Sequence, residues 1–453
     1  MMTDLVKGNL RWLSTTPSHW QVQKLRHMLS PFSEKNHPEM PLLSVVREKG
    51  VIVRNVDDKE ENHNYVPDDL SNYKLVRRGQ FAMNKMKAWQ GSYGVSQFDG
   101  IVSPAYFVFD LNFDISPEFF HRAIRSTTYV NYFAQASDGI RVGQWDLSIP
   151  RMKEIPFLIP PRAEQDQIVR FLDWKVSEIN KLISLKRKQI SLLREQLSAY
   201  ISSIITHGID SGIPTKESGV AWIGTIPSHW KAMRCKYLFK ERDERSLGGK
   251  EQHLSMSQKY GLVPDGQLEE HRMLSESYQG GKLCYRNDLV LNRLKAHLGV
   301  FALSPQLGVI SPDYTVLVPN TSRIVPEFAV TVLKSLRCRR ELRIRVKGII
   351  EGFWRLYTDD FGTIVIPVPP IQEQNRIMNH IKAFSDDMKR KESILTSQIT
   401  TMQELKARLI ADVVTGKIDV RDVDIPEYEP VVEEAELADD DSAEEESPED
   451  QED

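Results

Sequence analysis

The chain is one unit written twice, and that repetition limits what it can fold into more than any other feature. Trp12-Leu13-Ser14-Thr15-Thr16-Pro17-Ser18-His19-Trp20 returns as Trp222-Ile223-Gly224-Thr225-Ile226-Pro227-Ser228-His229-Trp230, 210 positions later. Asn84-Lys85-Met86-Lys87-Ala88 returns as Asn292-Arg293-Leu294-Lys295-Ala296 at an offset of 208. Ser103-Pro104-Ala105-Tyr106 matches Ser311-Pro312-Asp313-Tyr314, and Pro117-Glu118-Phe119 matches Pro326-Glu327-Phe328. Gly139-Ile140 with Gly143 and Trp145 returns as Gly348-Ile349 with Gly352 and Trp354. Pro160-Pro161 with Glu164-Gln165 returns as Pro369-Pro370 with Glu373-Gln374. The offset drifts by only a few positions, so the fold must hold two versions of one module in tandem.

Each copy has two parts. The first, Trp12–Pro160 and Trp222–Pro369, carries short apolar runs such as Ile101-Val102 to Phe109 and Thr315–Val318, bounded by turn residues and read as strands. A segment behind each Pro-Glu-Phe, Glu118–Ser126 and Glu327–Arg345, reads as helix opened by proline. The second part is a long helix. Steps of four and three give Leu172, Val176, Ile179, Ile183, Lys186, Ile190, Leu193, Leu197, Tyr200 and Ile204. The same frame moved by 209 gives Ile381, Ser385, Met388, Glu392, Leu395, Ile399, Met402, Lys406, Leu409 and Val413. Both are sustained heptad seams that need a partner helix, and equal length and phase point to each other. The expected class is α+β: two tandem α/β globular domains, each followed by a long helix, the helices pairing as an antiparallel coiled coil with pseudo-two-fold symmetry. The expected boundaries are 1–160 and 222–369 for the modules, 161–207 and 370–415 for the helices, 208–221 for a linker and 416–453 for a C-terminal segment. About 42 helical residues make a rod of roughly 60 Å.

The formal net charge of −4 hides a polar distribution. From Glu427 to the end there are 15 acidic residues and no Lys or Arg, so residues 1–426 carry +11. A basic body suits a polyanion, while the acidic, apolar-poor tail is expected to stay unfolded, as a solubilising appendage or as a shield for the body. No run of 18 apolar residues exists, and Met1–Arg11 lacks a signal-peptide core, which together predict a cytoplasmic protein with no membrane association. Cys235, Cys284 and Cys338 are too few and too scattered for a disulfide framework or a zinc cluster.

Signatures of chemistry are absent. Gly249-Lys250 and Gly416-Lys417 lack the context of a phosphate loop, and no His-Glu-x-x-His, Gly-x-Ser-x-Gly or Gly-x-Gly-x-x-Gly occurs. His19 and His229 read as parts of a turn beside a packed Trp, with no metal or other cofactor held by this chain. Binding remains. In the second module Arg337, Arg339, Arg340, Arg343, Arg345 and Lys347 fall within eleven residues, interrupted by one acid, Glu341. The first module offers Lys74, Arg77, Arg78, Lys85 and Lys87 with Trp89, Gln90, Ser92 and Tyr93 after them. Lys282, Arg286, Arg293, Lys295 and His297 join the second set. Cations beside amides and aromatics can hold phosphate and read base edges. Residues shared by the copies, Asn84/Asn292, Lys85/Arg293 and Lys87/Lys295, serve backbone contact or fold. Those that differ, Trp89/His297, Gln90/Leu298, Ser92/Val300, Arg141/Ile350 and Gln144/Phe353, are candidate readers. A non-catalytic protein-interaction scaffold of two modules on a coiled-coil spacer is the alternative, and the basic body argues against it.

The tandem plan, the start Trp222–Trp230 and the close Ile364-Val365-Ile366-Pro367-Val368-Pro369-Pro370 with Glu373-Gln374 resemble the specificity subunits of Type I restriction–modification enzymes. The likeness covers about residues 12–420, with mild departures at Trp12–Thr16 and at Arg162-Ala163. It implies two target-recognition domains, each reading half of an asymmetric bipartite site in double-stranded DNA, with the paired helices fixing the gap. At about 3.4 Å per base pair, 60 Å is an upper bound on the order of 18 base pairs. It further implies two methyltransferase subunits docked on the helices and motor-nuclease subunits joining for restriction. S-adenosylmethionine, ATP and Mg would belong to those partners, and this chain would be no enzyme itself.

Overall fold

The computed structural model describes residues 16–431 apart from 48, 55–66, 68, 113, 140–144, 259, 266, 268–277 and 349–353. Arg141, Gln144, Ile350, Phe353 and the acidic segment from 432 onward therefore lie outside the described residues. The chain divides into two compact units, one of residues 1–186 with 397–434 and the other chiefly of residues 187–396. The division cuts both long helices partway instead of falling at the module ends, because each module packs against the near part of both.

The first module is built on four antiparallel strands, β1 (Leu29–Phe32), β2 (Phe81–Asn84), β3 (Tyr93–Val95) and β4 (Tyr106–Leu111), in the order β1-β4-β2-β3. Strand β2 is apolar on both faces because both are covered. Phe81 and Met83 enter the main core, while Ala82, pointing the other way, packs with Val108 and Val102. Helix α1 (Pro117–Ile124) starts on proline, with the Ser116 hydroxyl accepting the Phe119 N–H at 3.3 Å. It buries Phe119, Phe120 and Ala123, and α2 (Thr127–Gln135) follows. Helix α3 (Arg162–His207) then runs for 46 residues, a rise of about 69 Å.

The second module repeats this plan in its own unit. Strands β5 (Phe239–Arg242), β6 (Leu289–Asn292), β7 (Phe301–Leu303) and β8 (Tyr314–Pro319) lie in the order β5-β8-β6-β7, and Val290 faces Val316 as Ala82 faces Val108. Where the sequence reads as one helix over Glu327–Arg345, the chain forms two, α4 (Pro326–Lys334) and α5 (Leu336–Arg345). The break is Ser335, in extended conformation, whose hydroxyl accepts the Cys338 N–H at 3.4 Å and caps α5. Helix α6 (Ile371–Val414) closes the repeat with 44 residues.

The long helices pair antiparallel, as the heptads predict. In the first unit Asn180 meets Lys406 (3.3 Å) and Lys186 meets Gln398 (2.7 Å), so α6 retreats as α3 advances. In the second, Arg194 meets Glu392 (2.7 Å) and the Tyr200 ring stacks on Phe384 at 4.1 Å. The seam residues Leu172, Ile179, Ile183, Ile190, Leu193, Leu197, Ile381, Met388, Leu395, Ile399, Met402 and Leu409 are all buried or half-buried. Off the seam, Leu182, Leu185, Leu192, Ile394 and Leu405 are 49–56% exposed. The outermost seam residues are shared with the modules. Leu172 belongs to the first core with Ile168, Phe171 and Val413, and Ile381 to the second with Ile204, Ile205 and Ile377.

Beyond α6 the chain passes through turns and then follows α3. The Gln167 amide donates to the carbonyls of Val420 (3.1 Å) and Val423 (2.8 Å). Ser177 donates to Glu429 O (3.0 Å) and accepts the Val431 N–H (2.7 Å), and Asn180 donates to Val431 O (3.0 Å). Residues 427–431, expected to begin the unfolded tail, are thus fastened. Composition signals a missing apolar core but not backbone groups satisfied by side chains of a neighbouring helix.

Candidate nucleic-acid interface

The shared Asn is a fold residue. Asn84 Oδ1 accepts the Met86 N–H (3.2 Å), and Asn292 Oδ1 accepts from Leu294 (3.1 Å) and Lys295 (3.3 Å). Asn84 caps the 3₁₀ turn Lys85–Gln90, and Asn292 holds the turn that leads into the 3₁₀ turn Ala296–Leu298; the two end on left-handed glycines, Gly91 (φ +93) and Gly299 (φ +87). On the first turn Lys85 pairs with Asp146, Lys87 is exposed, and Gln90 is half-buried. The Trp89 ring leans on Trp145 at 5.1 Å. Nearby, Lys74 donates to Tyr106 O (2.6 Å), Arg77 pairs with Glu34 (2.7 Å), and the Arg78 side chain is exposed. Ser92 and Tyr93 are corrections to the surface set. Past Gly91 the chain turns inward as β3, Tyr93 stacks on Phe133 at 4.3 Å, and burial raises its phenol well above the usual range.

In the second module Lys282 is a further correction. Its side chain is 3% exposed and lies 3.7 Å from both Glu241 and Asp243, a buried cation already neutralised. Arg286 is exposed, Arg293 donates to Pro312 O (3.4 Å), and Lys295 is half-buried. His297 takes the place of Trp89, with its ring edge-on to Trp354 at 5.6 Å. Burial, and then the Arg343 guanidinium, hold His297 below the ordinary histidine range, so it is neutral near pH 7.

The clearest cationic face is on α5. Cys338 and Leu342 are buried, one turn apart, which turns Arg337, Arg340 and Arg343 outward at spacings of three. Among the described residues none of these three makes an ion pair. The other cations of the cluster are engaged: Arg345 with Glu341 (2.6 Å), Lys347 with Asp360 (2.8 Å), and Arg339 with Leu298 O (3.2 Å). Charge density alone selects the whole cluster. The three-residue spacing, with Glu341 four positions before Arg345, is the signal that separates free from engaged. In the first module the corresponding positions of α2 are Thr128, Asn131 and Ala134. The two modules therefore share a frame and differ in surface chemistry.

No protein-family model matches the chain. It is 22% identical over 434 residues to a specificity subunit of the type I restriction enzyme MjaX from Methanocaldococcus jannaschii, covering 89% of this chain and 95% of that protein. It is 21% identical over 310 residues to the type I restriction enzyme MjaVIII specificity subunit of the same organism, covering 65% and 68%. A chain from a solved structure concerned with assembly and conformational transition of the type I R-M system shares the fold. The TM-score is 0.60 at 14% identity, over 89% of this chain and 99% of that one. The matched length takes in both copies of the repeat, and the chain is a homologue of type I restriction enzyme specificity subunits.

Proposed function

We propose that this chain is the DNA-address subunit of a type I restriction–modification complex. Each module reads one half of an asymmetric bipartite duplex site, and α3 with α6 holds the unread gap between the halves. The observation that carries this reading is one frame bearing two surfaces. Arg337, Arg340 and Arg343, which pair with no carboxylate among the described residues, stand in the second module where the first has Thr128, Asn131 and Ala134. Free cations supply the salt-dependent hold on phosphate, and differences between the copies supply different half-sites. The off-seam leucines Leu182, Leu185 and Leu192 suit helices of two methyltransferase subunits. Those subunits, and the motor-nuclease subunits that join them, bring S-adenosylmethionine, ATP and Mg, and this chain contributes no catalytic group.

The test is the affinity of the full chain, assembled with its methyltransferase subunits, for duplex DNA as salt is raised. A steep linear fall of log K with log salt is expected. Absence of DNA binding by the assembled complex would favour the protein-interaction scaffold instead.

A further inference from the structure

The segments repeated most faithfully are not on the basic surfaces. Pro17-Ser18-His19-Trp20 leads into Gln21–Lys24, which pairs antiparallel with Pro156–Ile159, the strand that runs into α3. Pro227-Ser228-His229-Trp230 leads into Lys231–Arg234, paired with Val365–Val368, which runs into α6. The start and end of each module therefore meet at the first turn of its own long helix, and a carboxylate waits there. Glu164 accepts from His19 Nε2 at 2.8 Å on one oxygen and from the Trp20 indole N–H at 3.0 Å on the other. Glu373 accepts from His229 Nε2 at 2.8 Å.

Each indole also closes on the end of the helix from the opposite copy. Gly416, just past α6, lies so near the first joint that a Cβ there would sit 2.4 Å from Pro17 Cδ and 3.2 Å from Trp20 Cη2. Gly208, just past α3, lies against Trp230, where a Cβ would sit 3.1 Å from Cζ2. Both glycines are left-handed, at φ +75 and +77. In the first joint Glu164 thus ties together the module's first residues, its own helix and, through the indole, the returning helix end, whereas in the second Glu373 holds His229 alone.

We propose that Glu164 and Glu373 are positioning residues that fix the tilt of each module on the helix pair and thereby set which gap between half-sites is accepted. This rests on the bipartite reading above. A domain of about 150 residues has a radius of gyration of about 15 Å, so its far face lies roughly 30 Å from a joint at its base. Rocking by about 7° moves that face by about 3.5 Å, one base-pair step. A gap can be specified to one base pair only if such rocking is prevented, and charge-assisted hydrogen bonds in a partly buried joint prevent it. The two joints are unequal. Trp230 Nε1 and Glu373 Oε1 are both buried without a hydrogen-bond partner, whereas the Trp20–Glu164 bond is closed. Glu164 therefore governs spacing more strongly than Glu373.

The experiment uses the full chain with its methyltransferase subunits and duplexes carrying both half-sites at the preferred gap and at one base pair more or less. In Glu164→Ala the penalty for a wrong gap shrinks by about tenfold, the scale of a lost hydrogen bond to a charged group, while half-site substitutions cost what they cost the wild type. Glu164→Gln, which keeps an oxygen for the indole, retains most of the penalty, and Glu373→Ala loses less of it than Glu164→Ala. His19→Ala removes only the more exposed arm and gives a smaller loss of the same kind, which keeps the test open should Glu164→Ala fail to fold. A wild type that discriminates gaps, with variants that discriminate equally, overturns the joint alone. Variants that lose every spacing equally overturn it too. A wild type indifferent to the gap overturns the bipartite reading and the joint with it.

Discussion

Gln165 and Ser116 stand 49 positions apart, and the Gln165 amide oxygen accepts the Ser116 N–H at 2.7 Å. Gln374 accepts the Val325 N–H at the same distance. Each glutamine is fully buried and donates to two carbonyls, Asp114 and Pro160 in the first copy, Arg323 and Pro369 in the second. Replacing either with Leu takes the hydrogen-bond partner from three backbone groups at once. We expect Gln165→Leu and Gln374→Leu each to destabilise by about 3 kcal/mol, read by denaturant unfolding. A loss under about 1 kcal/mol would show that the glutamine does not hold the module to its helix.

The helix seam predicts a contrast between neighbours. Ile183 is 1% exposed and Leu185, two residues on, is 51% exposed. Ile183→Ala should cost about 3 kcal/mol, against about 0.5 kcal/mol or less for Leu185→Ala. Equal costs would mean that the pairing face is misassigned. Leu185→Asp, stable by the same reasoning, should instead weaken capture of the methyltransferase subunits in a pull-down.

Acid sensitivity should have a local source. His121 is half-buried beside Gly50 and Gly94, with its Nδ1 accepting the Val95 N–H at 3.1 Å. Burial, with Arg125 and Arg122 nearby, pushes its pKa down to about 3. A histidine depressed in the fold contributes stability that is complete above its unfolded value near 6.5 and drains away as pH falls toward 3, because the unfolded chain binds the proton first. At pH 5 the loss is about 2 kcal/mol. His121→Asn keeps an acceptor for Val95 and removes the titration, so its stability should change less than the wild type's between pH 7 and 5. Parallel pH profiles would refute this.

Charge sets two opposite expectations. Each of Arg337→Ala, Arg340→Ala and Arg343→Ala should lower the slope of log K against log salt by about 0.9 if its guanidinium neutralises a phosphate. Ending the chain after Val431 removes thirteen carboxylates and no cation, taking the formal net charge from −4 to +9. Affinity for non-specific duplex should then rise and its salt slope steepen. Unchanged binding would make the acidic segment electrostatically silent toward DNA.

Much of the architecture is legible in the sequence because the repeated segments bind one another. His19 and Trp20 need Glu164, and Ser116 needs Gln165, so the pieces of the joint recur together. The heptads are legible because a seam has a period. The binding surface is harder to read, since whether a cation is free depends on distant neighbours. Lys347 meets Asp360 thirteen residues on, and Lys282 is enclosed by Glu241. Tyr93 turns inward because Gly91 reverses the chain, which the string of polar and aromatic residues around it does not announce. The strap along α3 is invisible to composition, since Gln167, Ser177 and Asn180 look like any polar helix face.

The central claim, two different readers held a set length apart on one duplex, is tested most directly by selecting bound duplexes from a random pool with the full chain and its methyltransferase subunits. The account predicts two short, dissimilar motifs separated by a gap of constant length and random sequence. A single continuous motif, or two motifs at variable separation, would contradict it.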